Sequence, residues 1–142
     1  VIRIKAKLDD AGLRRYRANL HQLERVVLAT AHMIEGDAKQ SILDRRSRGN
    51  EYPRGDKVHF SAKPGNPPNS DSGNLAGSVL PVKKGKLSAE IGFGAEYAIP
   101  LELGWISKDG KHQGPFPFLR PAVDRHARVF AQAIAAVMKG GR

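Results

Sequence analysis

The chain has 142 residues, with 24 Lys and Arg against 14 Asp and Glu, a formal charge of +10 and no cysteine. A chain of this length buries roughly 70% of the surface its unfolded form exposes, enough for one folded unit with its own core, and the missing thiols exclude a disulfide scaffold, a thiolate metal site and a cysteine nucleophile. The positive excess raises nucleic acid or an anionic surface as a partner, yet it is spread along the chain: residues 1–70 carry 14 basic against 8 acidic side chains, and residues 71–142 carry 10 against 6.

In chain order, Ile2, Ile4, Ala6 and Leu8 alternate with Arg3, Lys5 and Lys7, the period of a strand with one buried face. Asp9 or Asp10 is placed to cap a following helix. Leu13, Tyr16, Leu20, Leu23, Val27, Thr30, Ile34, Ala38 and Ile42 then recur at steps of three and four, predicting one helix of roughly 30 residues and about 45 Å. Such a length exceeds the width of a small domain, so part of the stripe is expected to pack on a neighbouring subunit. Gly36, inside the pattern, marks a bend or a close helix contact. From Asp44 to Ser70 the periodicity vanishes among glycines and prolines, and a long extended loop is expected, with Val58 to Phe60 as its one candidate strand.

Asp71 or Ser72 is read as the cap of a short helix through Leu75 to Val79. Two strands follow, Val79 to Lys83 and Leu87 to Phe93, joined by Lys84-Gly85-Lys86 with the glycine expected at positive φ. Glu96 to Leu103 is left open, because Pro100 disfavours a continuous helix, and Gly104 closes it. The last helix is expected from about Pro121, through Ala122, Val123, Ala127, Val129, Phe130, Ala133, Ile134 and Val137, to the Gly140-Gly141 stop. The fold class is therefore α+β: a small antiparallel sheet packed by a long N-terminal and a C-terminal helix, in a single domain spanning 1–142. No apolar run approaches the ~20 residues of a membrane span, and the charged, alternating N-terminus is unlike the apolar block of a signal peptide.

The residues that carry chemistry are sparse. His21, His32, His59, His112 and His126 show no metal-ligand spacing. Gly92-Phe93-Gly94 lacks the third glycine of a dinucleotide fingerprint and is followed by Ala95-Glu96-Tyr97. Glu90, Glu96 and Glu102 recur every six residues, with nothing in the sequence to pair them for acid–base work. No catalytic, cofactor or metal site is expected, and the chain is read as a non-enzyme. Arg45, Arg46, Arg48, Arg54, Lys57 and Lys63 give the 44–70 loop six cations against Asp44, Glu51 and Asp56. They can touch phosphates without reading sequence, while Tyr52 and Phe60 alone make no stacking platform. A basic nucleic-acid-binding module using this loop is the alternative function, and a solvated loop is the plainer account.

Four segments stand out in order. They are Gly65-Asn66-Pro67-Pro68; Ser72-Gly73-Asn74-Leu75 with Ser78; Tyr97-Ala98 with Glu102 and Gly104; and Pro117-Phe118-Leu119-Arg120-Pro121-Ala122. Together they resemble the tail-component family of HK97-type tailed bacteriophages, the head-to-tail joining, neck or tail-completion proteins. The likeness covers roughly residues 10 to 138, and departs from the family in Trp105 after Gly104 and in the lysine-rich Ser107 to His112 loop. The resemblance implies a virion structural protein at the head-to-tail junction, assembled in host cytoplasm. Its partners would be copies of itself in a ring, a hexamer on the family pattern, together with connector, neck and tail-tube proteins and non-specific contact with packaged DNA, and no membrane. The motif residues would shape the fold, and Arg45, Arg46, Arg48, Arg54, Lys57 and Trp105 would face subunits or partners, Trp105 because aromatics are enriched at interfaces.

Overall fold

Steps of three and four place the apolar residues of the first long element on one side. In the computed structural model, which describes residues 2–5 and 10–140, that element is a 34-residue helix, α1 (Asp10–Leu43). Leu23, Val27, Thr30, Ala31, Ile34, Ala38 and Ile42 are buried along it. The stripe does not hold throughout: Leu13 is 47% exposed, and the buried large apolar residues of α1 run from Leu23 to Ile42. The predicted outer parts of the first strand (Val1 and residues 6–8), the Asp9 cap and the Gly141 stop lie outside the described residues, as do the side chains of Ile2, Ile4 and Tyr16.

The short strand β1 (Ile2–Lys5) pairs antiparallel with β5 (Ser88–Phe93), which also pairs antiparallel with β4 (Val79–Gly85), giving a three-stranded sheet of order β1-β5-β4. Its inner face supplies Val79, Ala89 and Ile91 to the core, while Leu80 and Val82 on the other face are exposed. Pro81 is tolerated because β4 is an edge strand, where a missing N–H need not break the ladder. Gly85 is not at positive φ; it extends β4 to pair with Ser88, and the ladder shifts between Lys83 and Gly85 so that the turn falls at Lys86-Leu87.

The segment expected to be a loop contains a hairpin, β2 (Glu51–Arg54) with β3 (Lys57–Phe60), turned at Gly55 (φ 60°) and Asp56. A Gly-Asp pair between two alternating runs is itself a two-residue hairpin signal. Every side chain from Glu51 to Val58 is exposed, so this arm is held by its base. Gly49 donates its N–H to the Ser61 carbonyl (2.7 Å) and Ser61 returns one to Asn50 (2.9 Å). Asn69 Nδ2 donates to the carbonyls of Ser47 (2.5 Å) and Phe60 (2.9 Å), and the buried Ser47 hydroxyl accepts from the Lys63 N–H (2.8 Å).

A short helix, α2 (Asn74–Ser78), begins behind Gly73 at φ 83°, which has no side chain to cap it, and of the two expected caps the Ser72 hydroxyl accepts the Asn74 N–H at 3.4 Å. Asp71 cannot serve as one, because its carboxylate is turned to Arg54 and His59 of the arm. The open Glu96 to Leu103 segment contains helix α3 (Ala98–Leu103). Pro100 sits in its first turn, where N–H groups lack helical partners in any case. Two further short strands, β6 (Trp105–Ile106) and β7 (His112–Gln113), form a second small hairpin that the sequence reading missed. The last helix, α4 (Leu119–Gly140), starts two residues before Pro121, which again occupies the first turn. It packs along α1, with Leu119 and Ala122 fully in the core and Val129, from the predicted apolar face, 52% exposed.

Asp37 fastens α1 to α4: its Oδ2 accepts from Arg125 Nε (3.1 Å) and lies 2.9 Å from His126 Nε2. Burial raises the Asp37 pKa, and the hydrogen bonds from His126 and Arg125 outweigh it, so the carboxyl is held below its ordinary value. Gly36 is exposed, and a Cβ there would meet nothing within 4 Å, so it serves no close contact. Gly36→Ala should therefore stabilise the protein by about 1 kcal/mol through helix propensity and unfolded-chain entropy, read as a higher urea midpoint at unchanged slope.

Candidate functional site

The segments singled out in the sequence meet in space. Gly65, at φ 84°, donates its N–H to the Pro115 carbonyl (2.8 Å), and Phe116 donates to Leu101 (2.7 Å), so the proline-rich run, α3 and the approach to α4 are laced together. Gly104, at φ 85°, allows the chain to leave α3 directly against the β7 end, where a Cβ would lie 3.0 Å from the Gln113 carbonyl oxygen. Glu102 closes the set. Its Oε2 accepts from the N–H groups of Phe118 (2.8 Å) and Leu119 (3.0 Å), and its Oε1 from Arg120 (2.8 Å). These are N–H groups that the start of α4 leaves without helical partners, and a carboxylate there is also favoured by the helix dipole.

Between the base of the arm, residues 68–75, α3 and the β6–β7 hairpin lies a cleft of about 860 Å³. Pro68, Ser72, Gly73, Asn74, Tyr97 and Trp105, all singled out in the sequence, line it. Trp105 stands 6.0 Å from the Phe116 ring, tilted by 42°, and is 39% exposed. On the other side of α3, Ile99, Leu103, Leu119 and Val123 surround a second hollow of about 480 Å³. Tyr97, Ile99, Leu103, Trp105 and Ile106 thus present large apolar surface within ten residues, from 39% exposed at Trp105 to 71% at Leu103. The remaining motif residues are structural. Leu75, Ala98, Phe118, Leu119 and Ala122 are in the core, Ser78 Oγ donates to the Leu75 carbonyl (2.8 Å), Pro67 and Pro117 belong to the connections, and Arg120 and Pro121 stand in the first turn of α4.

The basic residues of the 44–70 segment are not gathered at this cleft. Arg45, exposed and at φ 48°, turns the chain out of α1. Arg46 pairs with Asp44, Arg48 lies over the Phe60 ring at 4.5 Å, and Arg54 pairs with Asp71. Of the six cations, Arg54 and Lys63 line the cleft, and Lys57 stands exposed beside the turn of the arm. The histidines are also dispersed: His59 faces Asp71 (3.1 Å) and stacks on Tyr52, His126 faces Asp37, His32 faces Glu35 (3.1 Å), and His112 is exposed in β7. Lys39 donates to Glu35, and this bond, with that from His32, holds the Glu35 carboxyl below its ordinary pKa against an opposing burial effect. Among the described residues no three His, Asp or Glu side chains are grouped to hold a metal ion, and no helix is long and apolar enough to cross a membrane. No protein-family model, curated protein or solved structure matches the chain.

Proposed function

We propose that the chain is a non-enzymatic structural protein of a tailed-bacteriophage virion, a neck or tail-completion component that forms a ring, a hexamer on the family pattern, joining the connector to the tail. The observation that carries this is the convergence of the four family-like segments on one cleft and one helix start. Residues 15 to 50 apart in sequence need to appear together because they hold α3 between the arm and α4. The function then lies in what α3 presents. Five large apolar side chains in ten residues, each more than a third exposed, stand on the two sides of α3 and at β6, an exposed apolar surface of the kind that marks protein association. The exposed arm beside it offers a projecting element to an adjacent ring. A nucleic-acid module built on the 44–70 segment gains less support, since Arg46, Arg48 and Arg54 are already engaged within the chain.

The test is the mass of the assembly by size exclusion with light scattering, alone and with tail-tube protein. A ring or a mixed complex is expected, and Leu103→Asp combined with Ile106→Asp should weaken it at least a hundredfold, because an unpaired charge buried at an interface costs about 3 kcal/mol or more. A strict monomer at high concentration that also fails to bind tail-tube protein would refute the proposal.

A further inference from the structure

The positive charge that looks dispersed in the sequence is partly collected by the fold. Arg14, Arg17, His21 and Arg25 recur at intervals of three, four and four on α1, all exposed and on the side turned away from the buried stripe. Between Arg14 and His32 the one carboxylate on α1 is Glu24, which stands beside this row. The β4–β5 turn joins this row from the distant end of the sequence: Lys83 bonds Glu24 on α1, and both Lys86 and His21 lie close enough to Glu24 to help hold its carboxyl below the ordinary value. Glu24, satisfied by Lys83, is the one acidic group in the patch. Arg14, Arg17 and Arg25, with His21, thus form a ridge about 16 Å long on α1, and Lys83 and Lys86 join it at Glu24.

We propose that this ridge is a binding site for the phosphodiester backbone of duplex DNA, sequence-independent and separate from both the cleft and the arm. The cations are spaced closely enough, relative to a Debye length of about 8 Å, to act as one field. Among the described side chains of the row no Phe, Tyr or Trp stands beside Arg14, Arg17, Arg25, Lys83 and Lys86, and the single imidazole of His21 makes no platform for the unstacked bases of a single strand. From Leu23 onward the apolar stripe of α1 is spent on the core, and among the described side chains of residues 10–25 Leu13 is the one exposed large apolar group, too little for insertion into a bilayer. A rigid row of charges suits a rigid row of phosphates, and contacts to phosphate fix position without reading sequence. The site does not depend on ring formation.

The experiment is fluorescence anisotropy of a labelled 24-base-pair duplex against salt, using the intact protein. A net of about four neutralised phosphates gives a slope of log K on log salt near −3.6, a loss of roughly a hundredfold between 50 and 200 mM. Arg14→Gln, Arg17→Gln and Arg25→Gln combined should shrink that slope by about 2.7, the three Arg→Lys changes should retain it, and Arg45→Ala with Arg46→Ala and Arg48→Ala should leave it alone. All these side chains are exposed, and an unchanged circular dichroism melt establishes that the variants are folded. The site is overturned if the duplex does not bind at 50 mM salt, if the slope survives the Gln variant, if the 45/46/48 variant flattens it equally, or if vesicles rich in anionic lipid bind more tightly than DNA. Ring mass measured on the same variants keeps the two proposals apart: the Gln variant should lose DNA and still assemble.

Discussion

Phe118→Ala should lower the stability of the protein by about 4 kcal/mol, the upper range for a large side chain truncated in a core. Phe118 is the largest of the fully buried side chains, at 0% exposure, and its ring meets Phe93 edge-on with centroids 6.0 Å apart. It lies where three layers meet: α1 supplies Ile34, Ala38 and Ile42 to the same cluster, the sheet supplies Val79 and Ile91, and α4 begins at the next residue with Leu119. Truncation therefore removes the transfer free energy of a benzyl group and leaves a cavity that elements anchored on three sides cannot close. For a chain of this size the melting temperature should fall by roughly 12 °C. Phe118→Leu, which keeps most of the volume, should cost about 1.5 kcal/mol, and a double-mutant cycle with Phe93→Leu should return a coupling of about 1 kcal/mol for the ring pair. Urea unfolding reads all three. A loss under 1.5 kcal/mol for the alanine variant would mean that the site collapses, and that the contact between sheet and helices is far more plastic than its packing indicates.

The ease with which each element was legible follows from where its stabilising contacts come from. The long helix and the β4–β5 hairpin declare themselves because their buried residues are spaced by their own secondary structure: Val27, Ile34 and Ala38 on one side of α1, Ala89 and Ile91 at alternate positions of β5. The end of that legibility is visible at Leu13, which keeps the helical spacing and is nonetheless 47% exposed. The arm is hard to see in the sequence for the opposite reason. Glu51, Tyr52, Pro53 and Arg54 bury nothing, and their strand is set by backbone pairing and by Asn69, Ser47 and Ser61 at the base, the first of these nine residues beyond the hairpin. Its local signals are the Val58 to Phe60 run, which falls in β3, and the Gly55-Asp56 turn before it. At the candidate site the residue types were legible and their meeting place was not. Trp105 and Tyr97 were singled out, but no spacing rule says that they share a cleft with Pro68 and Asn74. The charge pattern failed in the same way, since Lys83 and Lys86 are about sixty residues from the α1 arginines they join.

Glu102 is the clearest case of a residue whose role depends wholly on the fold, and Glu102→Ala should cost about 3 kcal/mol. Its carboxylate accepts three backbone N–H groups from a segment 16 to 18 residues away. Without it those donors are left at a partly buried helix start, where an unsatisfied group costs about 1–3 kcal/mol and hydrogen bonds to a charged acceptor are the stronger kind. Glu102→Gln distinguishes a cap from simple packing. An amide oxygen can replace Oε2 toward Phe118 and Leu119, but the amide nitrogen would point a donor at the Arg120 N–H, so about half of the stabilisation should be lost even though the shape is kept. The alanine variant should melt roughly 10 °C lower than the parent protein, with amide exchange accelerated first at Leu119 and Arg120 and only weakly at Ile34 on α1. The same loss reaches the proposed assembly face, because Glu102 lies between Ile99 and Leu103 on α3 and fixes the angle at which α3 leans on α4. Ring formation by the alanine variant should therefore fail at protein concentrations where the folded fraction is still above nine-tenths. A variant that assembles normally would detach the Glu102 cap from the interface and leave it a purely local clasp.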